Sequence, residues 1–227
     1  MGKKISIAPG EFYHLYNRGT EKRDIFLDTN DYDRFLSLLY LANSRLAVDI
    51  KLQGSTLYEA LAVDRGPTLV DICSYVLMPN HFHLLVKEKI DSDGKGIALF
   101  MQKLSTGYTM YFNTRNERSG SLFQGRYKAS HANTDRYLKY LISYIHLNPV
   151  KLIEPNWKET GIEDRVRAEK YLEGYPHSSY RDFLAHVRPE GIILSQNILP
   201  EYFETPNDFK SSVTEWLQRD NLQGSTL

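Results

Sequence analysis

The strongest constraint on the fold is a stretch near the middle of the chain, Met78-Pro79-Asn80-His81-Phe82-His83-Leu84-Leu85-Val86, which follows the apolar run Ile72–Leu77. Pro79 presets a turn backbone and lacks a ladder donor, while Asn80 tolerates unusual dihedrals. The spacing therefore predicts a hairpin, with strands over Ile72–Leu77 and His81–Lys87 joined by Met78-Pro79-Asn80. An isolated hairpin is marginal in water, so the rest of the chain must cover it.

Periodicity elsewhere supplies the cover. Phe12–Asn17 alternates as a strand. Asn30 or Asp31 caps a helix running to about Asn43, with Phe35, Leu36, Leu38, Leu39 and Leu41 as its apolar stripe. Residues 45–69 are less regular and read as a long connection or a hairpin. A helix is expected over Gly96–Asn113, a strand over Tyr127–Ala132, and a helix from Asp135 that Pro149 stops, because the residue before proline is pushed out of helical geometry. The order is α+β, a ferredoxin-like β-α-β-β-α-β core with an antiparallel sheet covered mainly on one face and a further C-terminal helix. Residues 1–151 form this domain. Residues 152–227 form a helical extension, with helical patches near Glu163–Leu172, Tyr180–His186 and Asn207–Arg219.

Charge divides the chain in the same place. The 227 residues carry 28 Lys+Arg against 28 Asp+Glu, yet residues 101–151 hold eight basic and two acidic side chains, and residues 152–227 hold eight and thirteen. The basic block is interleaved with Tyr108, Tyr111, Phe112, Phe123 and Tyr127, a composition suited to a polyanion that also offers bases to stack; a solvated face over buried aromatics is the alternative. No run approaches the roughly 18 apolar residues of a membrane span, and Met1–Ile5 does not open a secretory signal, so a cytoplasmic protein without membrane attachment is expected. The single Cys73 has no disulfide partner. Leu52-Gln53-Gly54-Ser55-Thr56-Leu57 recurs as Leu222–Leu227, a repeat with no physical account.

Two segments carry chemistry. On a strand, His81 and His83 project from one face while Phe82 points to the other. The two imidazoles either grip one metal ion or pack half-buried on the sheet. In Tyr144-Ile145-His146-Leu147-Asn148-Pro149, Tyr144 and Asn148 share one helix face, and the Asn148 amide lies at the dipole end that favours a cation. Spacing alone leaves open whether Tyr144 is a nucleophile or a packing aromatic.

Together these segments resemble the single-tyrosine HUH transposases, and most closely the REP-associated tyrosine transposases. The resemblance runs through Tyr13-His14-Leu15-Tyr16-Asn17-Arg18-Gly19, Met78–Val86, Gly120-Ser121-Leu122-Phe123-Gln124-Gly125-Arg126-Tyr127-Lys128 and Tyr144–Lys151, with a weaker echo at Tyr175-Pro176-His177-Ser178-Ser179-Tyr180. It implies a metal-dependent enzyme that cuts and rejoins single-stranded DNA beside a hairpin through a covalent 5′-phosphotyrosine. By that resemblance Tyr144 is the nucleophile, and His81, His83 and Asn148 hold a divalent ion, Mg²⁺ or Mn²⁺ by the oxygen chemistry of the substrate. A phenol with a pKa near ~10 needs such help to attack at neutral pH. A non-catalytic nucleic-acid-binding regulator derived from a transposase is the alternative.

The DNA contacts expected are Asn17, Arg18, Arg115, Arg118, Arg126 and Lys128, with Phe123 and Tyr127 stacking on bases. His14 is expected to pack on the sheet, and His146 lies about 200° around the helix from Tyr144 and Asn148, so neither joins the site. The partner is single-stranded or hairpin DNA, and the chain acts as a homodimer or as a monomer.

Overall fold

The computed structural model describes residues 6–47 and 56–218, and side chains to residue 215. Its elements in chain order are β1 (Phe12–Arg18), α1 (Thr29–Leu41), α2 (Leu57–Leu61), β2 (Val70–Met78), β3 (His81–Glu88), α3 (Gly96–Arg115), β4 (Lys128–His131), α4 (Asp135–Leu147), α5 (Trp157–Thr160), α6 (Arg165–Gly174), α7 (Tyr180–Phe183) and α8 (Pro206–Gln218), with short 3-10 turns between them. The strands form one sheet in the order β2-β3-β1-β4, each neighbouring pair antiparallel. This is the ferredoxin-like arrangement expected. The Met1–Ile5 opening and all of the hexapeptide repeat except Thr56-Leu57 lie outside the described residues.

Alternation within the strands sends side chains to two separate cores. Tyr13, Leu15, Tyr75, Leu77, Phe82, Leu84 and Val86 pack against Phe35, Leu38 and Leu39 of α1 and Phe100, Leu104 and Tyr108 of α3. On the opposite face, Val76, Met78 and Leu85 meet Leu138, Leu141, Ile142 and Ile145 of α4, with Trp157, Leu172, Tyr180 and Phe209 closing the layer. The sheet is therefore covered on both faces, not mainly on one. β2 already carries the reason: all nine of its residues are buried, as in a strand sandwiched between layers. A β-bulge at Cys73, where Ile72 faces Val86 but Ser74 faces Leu85, lets Ile72, Tyr75 and Leu77 all enter the same core.

Local chemistry fixes the helix ends. Asp28, rather than Asn30 or Asp31, caps α1, accepting from the Asn30 and Asp31 amides at 3.0 and 3.3 Å. Asp31 turns instead to the Leu27 amide at 2.8 Å. The buried Glu88 carboxylate accepts from the Gly96 and Ile97 amides, each at 2.7 Å, and so caps α3 from the end of β3. Within the irregular region 45–69, the described part holds α2 with a reciprocal cap: Thr56 Oγ1 accepts from the Glu59 amide and Glu59 from the Thr56 amide.

The open edge of β2 is closed by the weakly echoed motif near Tyr175. The Leu77 amide donates to the His177 carbonyl at 2.9 Å, the Ser179 amide to the Tyr75 carbonyl at 3.0 Å, and the Tyr175 hydroxyl to the Leu77 carbonyl at 2.7 Å. An edge strand is thereby protected from pairing with another chain. Among the described residues, no helix is long and apolar enough to cross a membrane.

Candidate functional site

The site lies on the α4 face of the sheet. Register sets Tyr16 opposite His83 and Arg18 opposite His81, and His14 follows two residues from Tyr16 on the same face. Each histidine of β3 has one ring nitrogen engaged. His81 Nδ1 lies 2.6 Å from Asn80 Oδ1, and because a carbonyl oxygen only accepts, Nδ1 carries the proton and Nε2 keeps its lone pair. His83 Nδ1 meets His14 Nε2 at 2.8 Å. With the shared proton on His83, its Nε2 is likewise left bare.

Burial holds these rings neutral, the form that can ligate. It lowers His14 to about 4 and His81 to about 4, with Lys151, Lys158 and Arg18 adding to the effect on His81. His83 falls well below the usual range, through burial first and through its histidine neighbours and Lys158 after that.

Tyr144 comes from the last turn of the amphipathic α4, whose apolar side is anchored in the second core. Its half-buried ring stands edge-on to His83 at 5.8 Å and to His14 at 6.0 Å between centroids. Tyr140 stacks on it at 5.7 Å, and Tyr137 on Tyr140 at 5.9 Å. The Tyr144 hydroxyl accepts from Lys158 Nζ at 3.2 Å, and the same ammonium sits 4.5 Å from the ring centre. The ring thus packs against the margin of the α4-side core, while its hydroxyl meets the Lys158 ammonium.

Asn148 departs from the expected geometry. Its backbone stays helical at φ −53°, ψ −39°, and the chain tightens into a 3-10 turn over Asn148–Leu152 in which Pro149 needs no N–H. Pro149 therefore ends the α-helix as expected, with Asn148 as its cap, and the chain continues as a 3-10 turn. The tightening diverts the Asn148 amide N–H to the Ile145 carbonyl and orphans the Tyr144 carbonyl, which Asn148 Nδ2 then satisfies at 2.8 Å. The side-chain nitrogen is committed to the helix end, which leaves Oδ1 as the atom able to ligate.

The remaining expected contacts separate into two groups. Arg18 is exposed beside His81 and pairs with Gln124 at 3.0 Å; Lys128, opposite Tyr16, is exposed with Nζ 5.9 Å from the Tyr16 ring. Arg126 lies over the half-exposed Tyr127 ring at 5.3 Å. By contrast, Phe123 is 5% exposed and belongs to the α1/α3 core, so it is not free to stack on a base. Arg115 is bound to Asp28 and Asp31 and lines a cavity of about 1020 Å³ beside α1 and α3, on the other face of the sheet. Its charge is already matched and it faces away from the histidines. Arg118 donates to Asn113 at 3.1 Å near the same helix end. Asn17 is buried and ties β1 to the Gly125 carbonyl at 3.1 Å, holding the Gln124–Lys128 loop in place. Gly125 has φ +77°, a left-handed turn that glycine adopts without strain.

His146 is fully buried and bonded to the Ile142 carbonyl and Ser179, apart from the site as expected. His14 is not merely packed: it is the direct partner of His83. Lys158 has no sequence signal, because it lies in the acidic extension. Among the described residues, no group of three or more His, Cys, Asp or Glu is arranged to hold a metal ion.

Comparison with known proteins points the same way. A family model described as "Transposase IS200 like" matches residues 55–148. A search of curated proteins finds no match. Among solved structures, that of a REP-associated tyrosine transposase bound to a REP hairpin superposes with a TM-score of 0.51 at 13% identity, covering 90% of this chain and 95% of that one. Residues 55–148 are thus similar to the IS200-like transposases, and over 90% of its length the chain shares the fold of a REP-associated tyrosine transposase.

Proposed function

We propose that this protein cleaves and rejoins single-stranded DNA beside a hairpin, with Tyr144 as the nucleophile that becomes linked to the 5′ phosphate. The observation that carries the reading is the position of the Tyr144 ring, within 6.0 Å of His83 and His14 between centroids, with its hydroxyl turned to a cation. The bound hairpin of the solved relative supports DNA of that shape as the partner.

His81 and His83 through Nε2, and Asn148 through Oδ1, are the residues that would hold a divalent ion. The donor set fits: neutral imidazoles and an amide oxygen, with the further positions left for water and phosphate oxygens, suit Mg²⁺ or Mn²⁺. When bound, such an ion supplies Lewis-acid neutralisation of charge on the scissile phosphate. His14 fixes the His83 tautomer, as a hydrogen-bonded outer partner of a ligating histidine does. Tyr144 Oη loses its proton to solvent and forms a bond to phosphorus while the P–O3′ bond breaks and its electron pair leaves with the 3′ oxygen, which is then protonated. The phosphodiester energy is retained in the tyrosyl ester, so a 3′ hydroxyl reverses the step without ATP. Arg18, Arg126 and Lys128 contact phosphates, and Tyr127 offers a stacking face. One chain supplies both imidazoles and the tyrosine, so no second subunit is needed to complete the site.

The test is incubation of the protein with hairpin-flanked single-stranded DNA and Mn²⁺. A denaturation-resistant protein–DNA adduct is expected, reduced by at least about 10³-fold in Tyr144→Phe. Cleavage that survives Tyr144→Phe would make water the nucleophile and overturn the proposal.

A further inference from the structure

We infer that Lys158 is a catalytic residue, the cation that carries the charge of the Tyr144 oxygen both as it attacks and as it departs. The inference rests on the proposed tyrosine chemistry and reaches beyond it, since Lys158 lies outside residues 55–148 and in the extension whose net charge is acidic.

Three observations converge on this side chain. Lys158 Nζ donates to the Tyr144 hydroxyl at 3.2 Å. Its ammonium also lies 4.5 Å from the Tyr144 ring centre, over the negative face of the π-system. Its backbone is held by Trp157, which is 7% exposed and inserted into the α4-side core. α5 is four residues long, and Trp157 at its start fixes where Lys158 can reach. The Nζ atom lies 5.6 Å from the Trp157 ring as well, so the ammonium sits between two aromatic faces.

A lysine that donates to the phenol oxygen is not placed to take its proton. Its part is electrostatic. In the forward step the Tyr144 O–H bond breaks, the proton passes to solvent, the O–P bond forms and the 3′ oxygen leaves. The ammonium keeps its proton throughout and offsets the negative charge on the phenolic oxygen until the new bond consumes it. In the reverse step the 3′ oxygen attacks phosphorus, the O–P bond to Tyr144 breaks, and the same ammonium receives the departing phenoxide. One residue therefore serves both directions, which an enzyme that rejoins strands requires. Preorganised charge of this kind acts on the transition state more than on binding.

An ordinary phosphate contact is the competing role, and it differs in what it would change. The experiment compares Lys158→Met and Lys158→Arg in the full-length protein with Mn²⁺ and hairpin-flanked single-stranded DNA. Adduct formation, rejoining of purified adduct by an added 3′ hydroxyl, and DNA affinity in chelator are measured separately. Lys158→Met is expected to slow formation and rejoining alike, by about 10²-fold, with the dissociation constant within about twofold of the parent and with Lys158→Arg recovering most of both rates. A loss confined to affinity, with a weaker salt dependence, would make Lys158 a phosphate contact and overturn the inference. Unchanged rates in Lys158→Met would overturn it too. Absence of any adduct in the parent protein would instead sink the tyrosine chemistry itself, an outcome distinct from both.

Discussion

The two faces of the sheet use the same strands for opposite purposes. Toward α1 and α3, the side chains of β1 and β3 are Tyr13, Leu15, Phe82, Leu84 and Val86, which share one apolar core. Toward α4, Phe12 and Leu85 join the second core, but His14, Tyr16, His81 and His83 are polar or aromatic groups that hydrogen-bond or stack with one another, His14 and His83 also meeting Tyr144. A period of two lets one strand act as a wall on one side and as a reagent on the other. The rigidity that reaction geometry demands is supplied by the inert side.

That division can be broken at adjacent residues. Phe82→Ala empties a fully buried site and is expected to destabilise the fold by about 3–5 kcal/mol, read from denaturant unfolding. His83→Ala, one position along, should lose less than half as much stability yet abolish measurable Mn²⁺ binding in calorimetry. Equal stability losses from the two would show that the faces are not separable. His14→Ala tests the outer partner: Mn²⁺ affinity should fall about 10–100-fold with the fold intact, while an unchanged affinity would leave His14 a packing residue.

The smallest effect is expected where the faces join. His177 stacks on Tyr32 of α1 at 3.5 Å while its carbonyl pairs with β2, and burial lowers it to about 4. The unfolded chain, with histidine near ~6.5, binds the proton more readily, so stability present above pH ~6.5 is lost as pH falls toward 4. His177→Gln should flatten that part of the pH profile, changing the midpoint of thermal unfolding by about 2–4 °C. A profile unaltered by the substitution would assign the acid sensitivity to other groups.

How much of this was legible in the sequence follows from how local each signal is. The hairpin at Pro79-Asn80, the shared face of His81 and His83, and the one-turn spacing of Tyr144 and Asn148 depend on neighbours within a few residues, and they were readable. The pairing of His14 with His83 depends on strand register across 69 residues, and the approach of Lys158 depends on how the extension folds back. Neither leaves a periodic trace. Phe123 and Arg115 show the converse: residue types that suit DNA were already engaged, one in the core and one by two aspartates. The basic block located the charge but not which charges were free.

The alternation in β3 also limits how such a protein can change over time. Inserting or deleting one residue between Asn80 and His81 would turn both imidazoles into the α1/α3 core and Phe82 and Leu84 toward α4, ruining packing and chemistry in a single event. The extra residue at Cys73 sits in the neighbouring strand, upstream of the pairs that face the histidines. Lineages descended from this chain should therefore vary in the lengths of their loops, while the count of residues from the turn to the end of β3 stays frozen.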